Sequence, residues 1–551
     1  MRKKYLNYFI LTLTIVLAVL TRSYKIGNVP SGLYLDEAGQ GYSAYSILLT
    51  GKDEFGKPYP FIFRAFTDFK PPIYTYLIVP LIPIFGLTVF TVRFPSLVFS
   101  VLTIPILFLL INKLTNNKTL ANISVILLAI SPWHILFGRT AYECNIALFF
   151  LISGILLFYF GLKKPLMLIF SAISFALAFQ SYHAQRLITP FMTLILFIKY
   201  RQVIFTKSYR KYVIISFIVG MIILIPSLTV SFTPGFLARA TGLNIFSVKE
   251  KTPSGTINEG IGNLKPILNN RLLLTTKEFA SLYTSYISPR YMFQLGDYGP
   301  RSSYPELATF FVWQAPFYIY GLYKLIKSKR LGELKFLILS LLFISPIPAA
   351  ITRDPYSSIR ALQMVIPQTI IITFGILNVW ILIKNHIFKY TALLLFAVIV
   401  LYSLTKLYSS VIILNEFYRA KEWDYGWNQL AQTLKSLDPQ KTVVVDTARH
   451  GPYIELLFFL KYDPRIYVED NFEINQNEYY SNMNKRDNWK LGNIIIRPIN
   501  WTPDTKVDQY LVGDALAISD EQLIKNKLKV IKDIYYPDGS LAFRIVETTP
   551  K

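Results

Sequence analysis

Pro71-Pro-Ile-Tyr-Thr-Tyr-Leu-Ile-Val-Pro-Leu-Ile-Pro-Ile-Phe-Gly-Leu-Thr-Val-Phe90 is apolar enough to cross a membrane, yet it carries Pro71, Pro72, Pro80 and Pro83 and abuts the next apolar block. Whether it crosses fixes which loops share a side. Elsewhere the apolar residues fall in blocks of roughly 17–23, the length that spans about 30 Å of hydrocarbon as a helix. The blocks lie at 5–21, 94–112, 120–137, 145–160, 165–181, 187–199, 212–230, 306–323, 335–351, 361–383 and 388–405, about eleven spans. If 71–90 stays outside, the loops 113–118, 161–165, 199–211, 324–335 and 384–389 share one side and hold sixteen Lys or Arg. The opposite short loops then hold only Arg139, Arg186, Arg353 and Arg360. Lys and Arg gather on the cytoplasmic side, and a crossing at 71–90 would invert the balance. The expectation is therefore a juxtamembrane or partly inserted helical segment within a large outer loop, 22–92.

Composition agrees with a polytopic membrane protein. Of 551 residues, 53% are apolar and only 16% charged, against about a quarter charged in a soluble protein. The net charge of +24 brackets the apolar blocks instead of forming one basic stripe, which argues against nucleic acid. Met1-Arg-Lys-Lys precedes the first block with no small-x-small cleavage site after it, so this block reads as a retained helix with its amino end in the cytoplasm. The single Cys144 excludes an internal disulfide. His134, His183, His386 and His450 are scattered, so no built-in metal site and no cofactor are expected.

With this topology the loops 22–92, 138–144, 182–186, 231–305 and 352–360 face outward. Residues 1–414 form the membrane domain. Residues 415–551 gain charge, β-rich runs at Thr442–Asp446 and Asn493–Arg497, and a turn signal at Asp538-Gly539, so they read as a soluble extracytoplasmic α/β domain.

The first outer loop carries most of the chemistry. Gly32-Leu-Tyr-Leu-Asp-Glu-Ala-Gly-Gln-Gly-Tyr-Ser-Ala-Tyr45 puts Asp36 and Glu37 beside the membrane, where ionisable groups are costly and mark a functional site. The structural alternative for Asp36 is the N-cap of a following helix. Gly51 to Lys57 fits Gly-x4-Gly-Lys, but Pro58 stands where Ser or Thr should hold magnesium and no strand precedes it, so it is a glycine-punctuated loop. Lys70, before Pro71-Pro72, either snorkels to the interface or binds a lipid phosphate. Glu143 is a second acid, with a helix pair to Arg139 as its alternative. His183 and Arg186 share one turn, and Arg353, Tyr356 and Arg360 lie close together. These outward arginines, in a chain that keeps positive charge inside, suit an anionic phosphate.

In order along the chain, Asp36-Glu37, Lys70-Pro-Pro72, Phe85-Gly86 and Arg93-Phe-Pro-Ser96 resemble membrane glycosyltransferases of the GT-C type. The protein O-mannosyltransferase and aminoarabinose transferase relatives (glycosyltransferase family 39-like) are the groups concerned. Arg139-Thr-Ala-Tyr-Glu-Cys-Asn145, Ser288 to Arg301 and Ser345-Pro-Ile-Pro-Ala-Ala350 echo the same family. The resemblance implies the GT-C fold and an inverting transfer of a sugar from a polyprenyl-phosphate donor at an extracytoplasmic site of the cytoplasmic membrane. The acceptor would be a protein hydroxyl, a cell-envelope glycan or a lipid-linked sugar. Asp36 matches the family's catalytic carboxylate and Glu143 its second acid, often Asp in relatives, with Glu37 beside them. Lys70 corresponds to a donor-phosphate contact, joined by His183, Arg186, Arg301, Tyr356 and Arg360. Tyr42, Arg139 and Asp297 are the expected acceptor contacts. The rival reading is a lipid-carrier or sugar transporter, or a flippase, which would place ionisable residues near span centres instead of at outer ends.

Overall fold

The computed structural model describes residues 2–66, 68–234, 245, 271–329, 331–447, 452–471, 479–480 and 488–549. His450 and much of the outer loop 231–305 lie outside them. Among the described residues, eight helices are long and apolar enough to cross a membrane: Tyr5–Ser23, Val89–Thr115, Glu143–Gly161, Gln185–Ile204, Lys207–Val230, Gly332–Ile351, Leu362–Leu382 and His386–Tyr418. A ninth is counted if Lys118–Ala129 and Pro132–Gly138, bent by 61°, form one broken span. Shorter helices, Met167–Ser181 and Ala315–Lys327, stand where the other two spans were expected. At 1.5 Å per residue neither covers a full bilayer core alone. The stretch 71–90 is no span: it breaks into Ile73–Ile78, Val79–Leu81 and Ile82–Phe85 before the next long helix starts at Val89. Pro80 and Pro83 sit in the first turns of the second and third pieces, where a missing N–H costs least.

The chain divides into two compact units. The first comprises 1–22, 98–138 and 142–407 and holds most of the apolar helices. Its helices approach closely where side chains are smallest, as membrane helix pairs do. Gly321 and Gly375 bring Ala315–Lys327 against Val365–Leu382: an added Cβ would lie 2.1 Å from the Ile371 carbonyl oxygen or 1.9 Å from that of Phe317. Gly375→Leu should therefore cost about 1–3 kcal/mol by overpacking. A melting temperature equal to that of the parent would contradict this close crossing.

The 61° bend has a partner. Pro132 cannot supply the N–H that would continue the helix, which leaves the carbonyls of Leu128 and Ala129 without their usual partners. The Arg22 guanidinium, fully buried at the end of the first helix, donates to both (3.3 and 2.9 Å), to Ser100 Oγ (2.6 Å) and meets His134 Nδ1 (2.8 Å).

The second unit comprises 23–97, 139–141 and 408–551. It is larger than a 415–551 domain because the loop 22–92 folds with the C-terminal chain. Gly41 has no room for a Cβ against Phe458 (2.6 Å) and Val92 (2.7 Å). The hairpin of β1 (Phe63–Ala65) and β2 (Asp68–Lys70) joins the same unit, with Arg64 N–H donating to Tyr479 Oη (2.9 Å). The C-terminal part is a six-stranded sheet of β3 (Thr442–Val445), β4 (Trp489–Leu491), β5 (Ile494–Ile496), β6 (Gln509–Gly513), β7 (Lys529–Tyr535) and β8 (Leu541–Thr548), in the order β4-β5-β3-β6-β8-β7. The two β-rich runs read from sequence are neighbouring parallel strands, Val443 opposite Ile494. Their near-continuous apolar character suits strands covered on both faces. Gly539, in the left-handed region, turns β7 into β8.

Candidate active site

Asp36 and Glu37 occupy the first turn of helix Leu35–Thr50, where the helix dipole favours negative charge. The helix starts earlier than a cap at Asp36 would require: Tyr34 is the N-cap, and Glu37 Oε2 accepts its N–H (3.3 Å). The two carboxylates then part company. Glu37 is buried and saturated, with Arg93 Nε on Oε1 (3.1 Å), Arg93 Nη2 on Oε2 (2.8 Å) and the Ala141 N–H on Oε1 (2.7 Å). Arg93 is itself fully buried and also binds the carbonyls of Ile26, Pro30 and Gly32 at 2.8–3.0 Å. This pair ties three segments of the loop together, and its forked geometry is one that only arginine supplies.

Asp36 stays accessible. Its side chain is 36% exposed, and Lys70 Nζ, 8% exposed at the end of β2, reaches its Oδ1 (2.9 Å) and its backbone carbonyl (3.0 Å). An exposed carboxylate and a nearly buried ammonium thus meet on a helix terminus and a strand end, both held by the second unit's core.

Beneath them lies an acid-rich loop. Asp53 accepts the N–H groups of Phe55 (3.0 Å) and Lys57 (2.8 Å) and the Tyr479 hydroxyl (2.5 Å), closing the Gly51–Pro58 turn as a structural loop. Burial pushes its carboxyl from 3.8 up to about 6, against the pull of these donors and Arg64. Neighbouring Glu54 is driven up by burial and by Asp53, with Lys70 and Arg64 opposing. Unfolded, Asp53 ionises at its ordinary value, so the folded form keeps its proton longer. The stability this confers is whole below about pH 4 and is lost as pH rises through about 6, a change of about 3 kcal/mol. Between about pH 4 and pH 7 the parent should lose most of that amount of stability relative to Asp53→Asn, read by denaturation at each pH; parallel curves would contradict the assignment.

The remaining candidates have these places. Tyr42 is buried, its hydroxyl donating to the Tyr462 carbonyl (3.0 Å), and Arg139 is buried with Nη2 on the Val29 carbonyl (2.9 Å). Both are engaged in holding the second unit. Glu143 opens helix Glu143–Gly161 in the first unit; the preceding helix ends at Gly138, so no single helix carries Arg139 and Glu143. In the first unit Tyr356 is buried, stacked on Tyr286 (5.5 Å) and Tyr291 (5.3 Å), with its hydroxyl on Thr309 (2.9 Å). Asp297 accepts the N–H groups of Ser358 (2.6 Å) and Gly299 (2.8 Å), and burial raises its carboxyl. Arg360 is paired with Asp354. Arg301 is half-buried, as are Arg186, at the start of helix Gln185–Ile204, and His183, which lies edge-on to Tyr182 (6.4 Å). Arg93 and Arg22 were assigned no task in the sequence. The only signal for Arg93 was its place in the Arg93-Phe-Pro-Ser96 motif; Arg22 had none beyond being a charge at a span end.

Residues 69–229 match the sequence pattern of the dolichyl-phosphate-mannose-protein mannosyltransferase family. No curated protein sequence matches the chain. Among solved structures, the chain resembles ArnT from Cupriavidus metallidurans bound to undecaprenyl phosphate, at 10% identity and a TM-score of 0.53, over 99% of both chains. An oligosaccharyltransferase from Archaeoglobus fulgidus, tethered to an acceptor peptide, scores 0.48 at 13% identity, over 98% of this chain and 74% of that one. The apolar helices mark a multi-pass membrane protein, residues 69–229 carry the mannosyltransferase family pattern, and the chain shares the GT-C fold of ArnT.

Proposed function

We propose that the protein transfers a sugar from a polyprenyl-phosphate donor to an extracytoplasmic acceptor, at the outer face of the cytoplasmic membrane, with inversion at the anomeric carbon. The observation that carries this reading is the Asp36–Lys70 pair, an accessible base candidate held by a buried cation. The undecaprenyl phosphate in the ArnT structure supports a lipid-phosphate donor. Asp36 takes the proton of an acceptor hydroxyl or amine while that atom bonds to the anomeric carbon. The bond from this carbon to the phosphate oxygen breaks, and its electron pair leaves with the lipid phosphate. Lys70 meets the charge that develops there, a stabilisation worth most where it is preorganised. Because Lys70 now rests on Asp36, an arriving phosphate draws the ammonium away and frees carboxylate oxygen for the acceptor proton. Glu37, saturated by Arg93, positions the turn that carries Asp36.

Binding of polyprenyl phosphate to the purified protein tests the reading. A hydrogen bond to a charged group is worth about 1.5–3 kcal/mol, so Lys70→Met should weaken it by about 10- to 100-fold. Absence of saturable binding, or an unchanged Kd in Lys70→Met, would sink it.

A further inference from the structure

The second unit contains a cavity of about 260 Å³ that none of the expected site residues lines. We propose that it is a sugar-binding subsite for the acceptor, a proposal that names the acceptor class as hydroxyl-rich and rests on the transferase reading above. The polar residues lining it are Asn28, Ser31, Glu416, Asp424, Asn428 and Gln429, with Tyr425 alongside. Among the described residues no Lys or Arg lines it, so its two acidic residues disfavour phosphate and the donor's headgroup. Carboxylates accept from sugar hydroxyls, and the three side-chain amides both donate and accept. The Tyr425 ring offers a face for the C–H side of a pyranose. The volume lies just under the roughly 300–1,000 Å³ of drug-sized sites, which suits a single ring.

The cavity is built, not a chance gap between loops. Gly32 (φ +100°) meets the Trp423 carbonyl so closely that a Cβ would lie 2.1 Å from it. Asp424 (φ 55°) and Gly426 (φ 102°), either side of Tyr425, hold left-handed conformations along the facing segment. Strained backbone of this kind persists where the surroundings enforce it and clusters at binding sites. Ser31 Oγ donates to the Glu416 carbonyl (3.2 Å), fixing that acid's backbone. The Leu35 N–H donates to Asp424 Oδ2 (3.2 Å), so an acid of the cavity is bonded to the residue preceding Asp36. A ring seated here is therefore tied through one residue to the proposed base.

Saturation-transfer NMR on the detergent-solubilised full chain, with methyl α-mannopyranoside and N-acetylglucosamine as probes, tests this. Asn428 is exposed and Gln429 half-buried, so Asn428→Ala/Gln429→Ala and, separately, Glu416→Gln should fold as the parent does, checked by thermal melting. The expected result is saturable transfer from at least one sugar in the parent and a loss of at least tenfold in affinity in both variants. Equal transfer in parent and variants overturns the proposal. So does stoichiometric binding of Ca²⁺ that displaces the sugar, which would make the cavity a cation site. Donor cleavage without sugar binding defeats the subsite alone, whereas sugar binding without donor cleavage defeats the transferase reading and leaves a sugar site standing.

Discussion

Asp36→Asn is expected to lose about 10²–10⁴-fold in turnover, the usual contribution of a positioned base. The carboxamide keeps the shape and can still accept a hydrogen bond from Lys70, so the helix start and β2 should stay in place. With 36% of its surface exposed, Asp36 adds little to the core, and the melting temperature should hardly move. The loss should appear in kcat, with polyprenyl-phosphate binding retained, because Lys70 remains to meet the phosphate. Normal turnover in a folded Asp36→Asn protein would transfer the role of base elsewhere.

Arg93→Met carries the opposite signature. It strands Glu37 as a buried charge with only backbone donors and removes the partner of the Ile26, Pro30 and Gly32 carbonyls. Removing one member of a buried pair costs about 3–5 kcal/mol, a large share of the 5–15 kcal/mol that holds most folds. Expression and melting temperature should fall sharply, and activity should follow stability. Arg93→Lys should recover little, since one ammonium cannot replace a fork on two oxygens while also serving three carbonyls. The double variant Arg93→Met/Glu37→Leu should regain part of the loss by removing the stranded charge. A stable Arg93→Met protein would show that the pair does not hold the first outer loop.

These two side-by-side carboxylates also mark how far the sequence could be read. Local signals were legible: the apolar lengths located the helices, the lysine and arginine balance kept 71–90 from being a span, and the runs at 442–446 and 493–497 became paired strands. The order of motifs put Asp36 and Lys70 in one site, and they are in contact although 34 positions apart. What separates Asp36 from Glu37 was not legible, because Glu37 is defined by an arginine 56 positions away. The same holds for Arg22 with His134, 112 positions apart, and for Asp53 with Tyr479, 426 apart. Periodicity and capping report on neighbours within a turn or two and are silent on such pairings. For that reason the first outer loop read as a separate element, whereas in the structure it completes the C-terminal unit. A helix after Asp36 was expected; that its Gly41 lets Phe458 and Val92 approach it closely was not legible, because those residues lie far along the chain.

In the proposed reaction the protein breaks the bond between sugar and lipid phosphate. Donors labelled separately in the sugar and in the phosphate, incorporated with the purified full chain into sealed liposomes, test it most directly. The wild-type protein is expected to part the two labels, releasing free polyprenyl phosphate at the rate the sugar leaves, and Asp36→Asn is not. Labels that stay together while the intact donor crosses the bilayer would contradict it and identify a flippase.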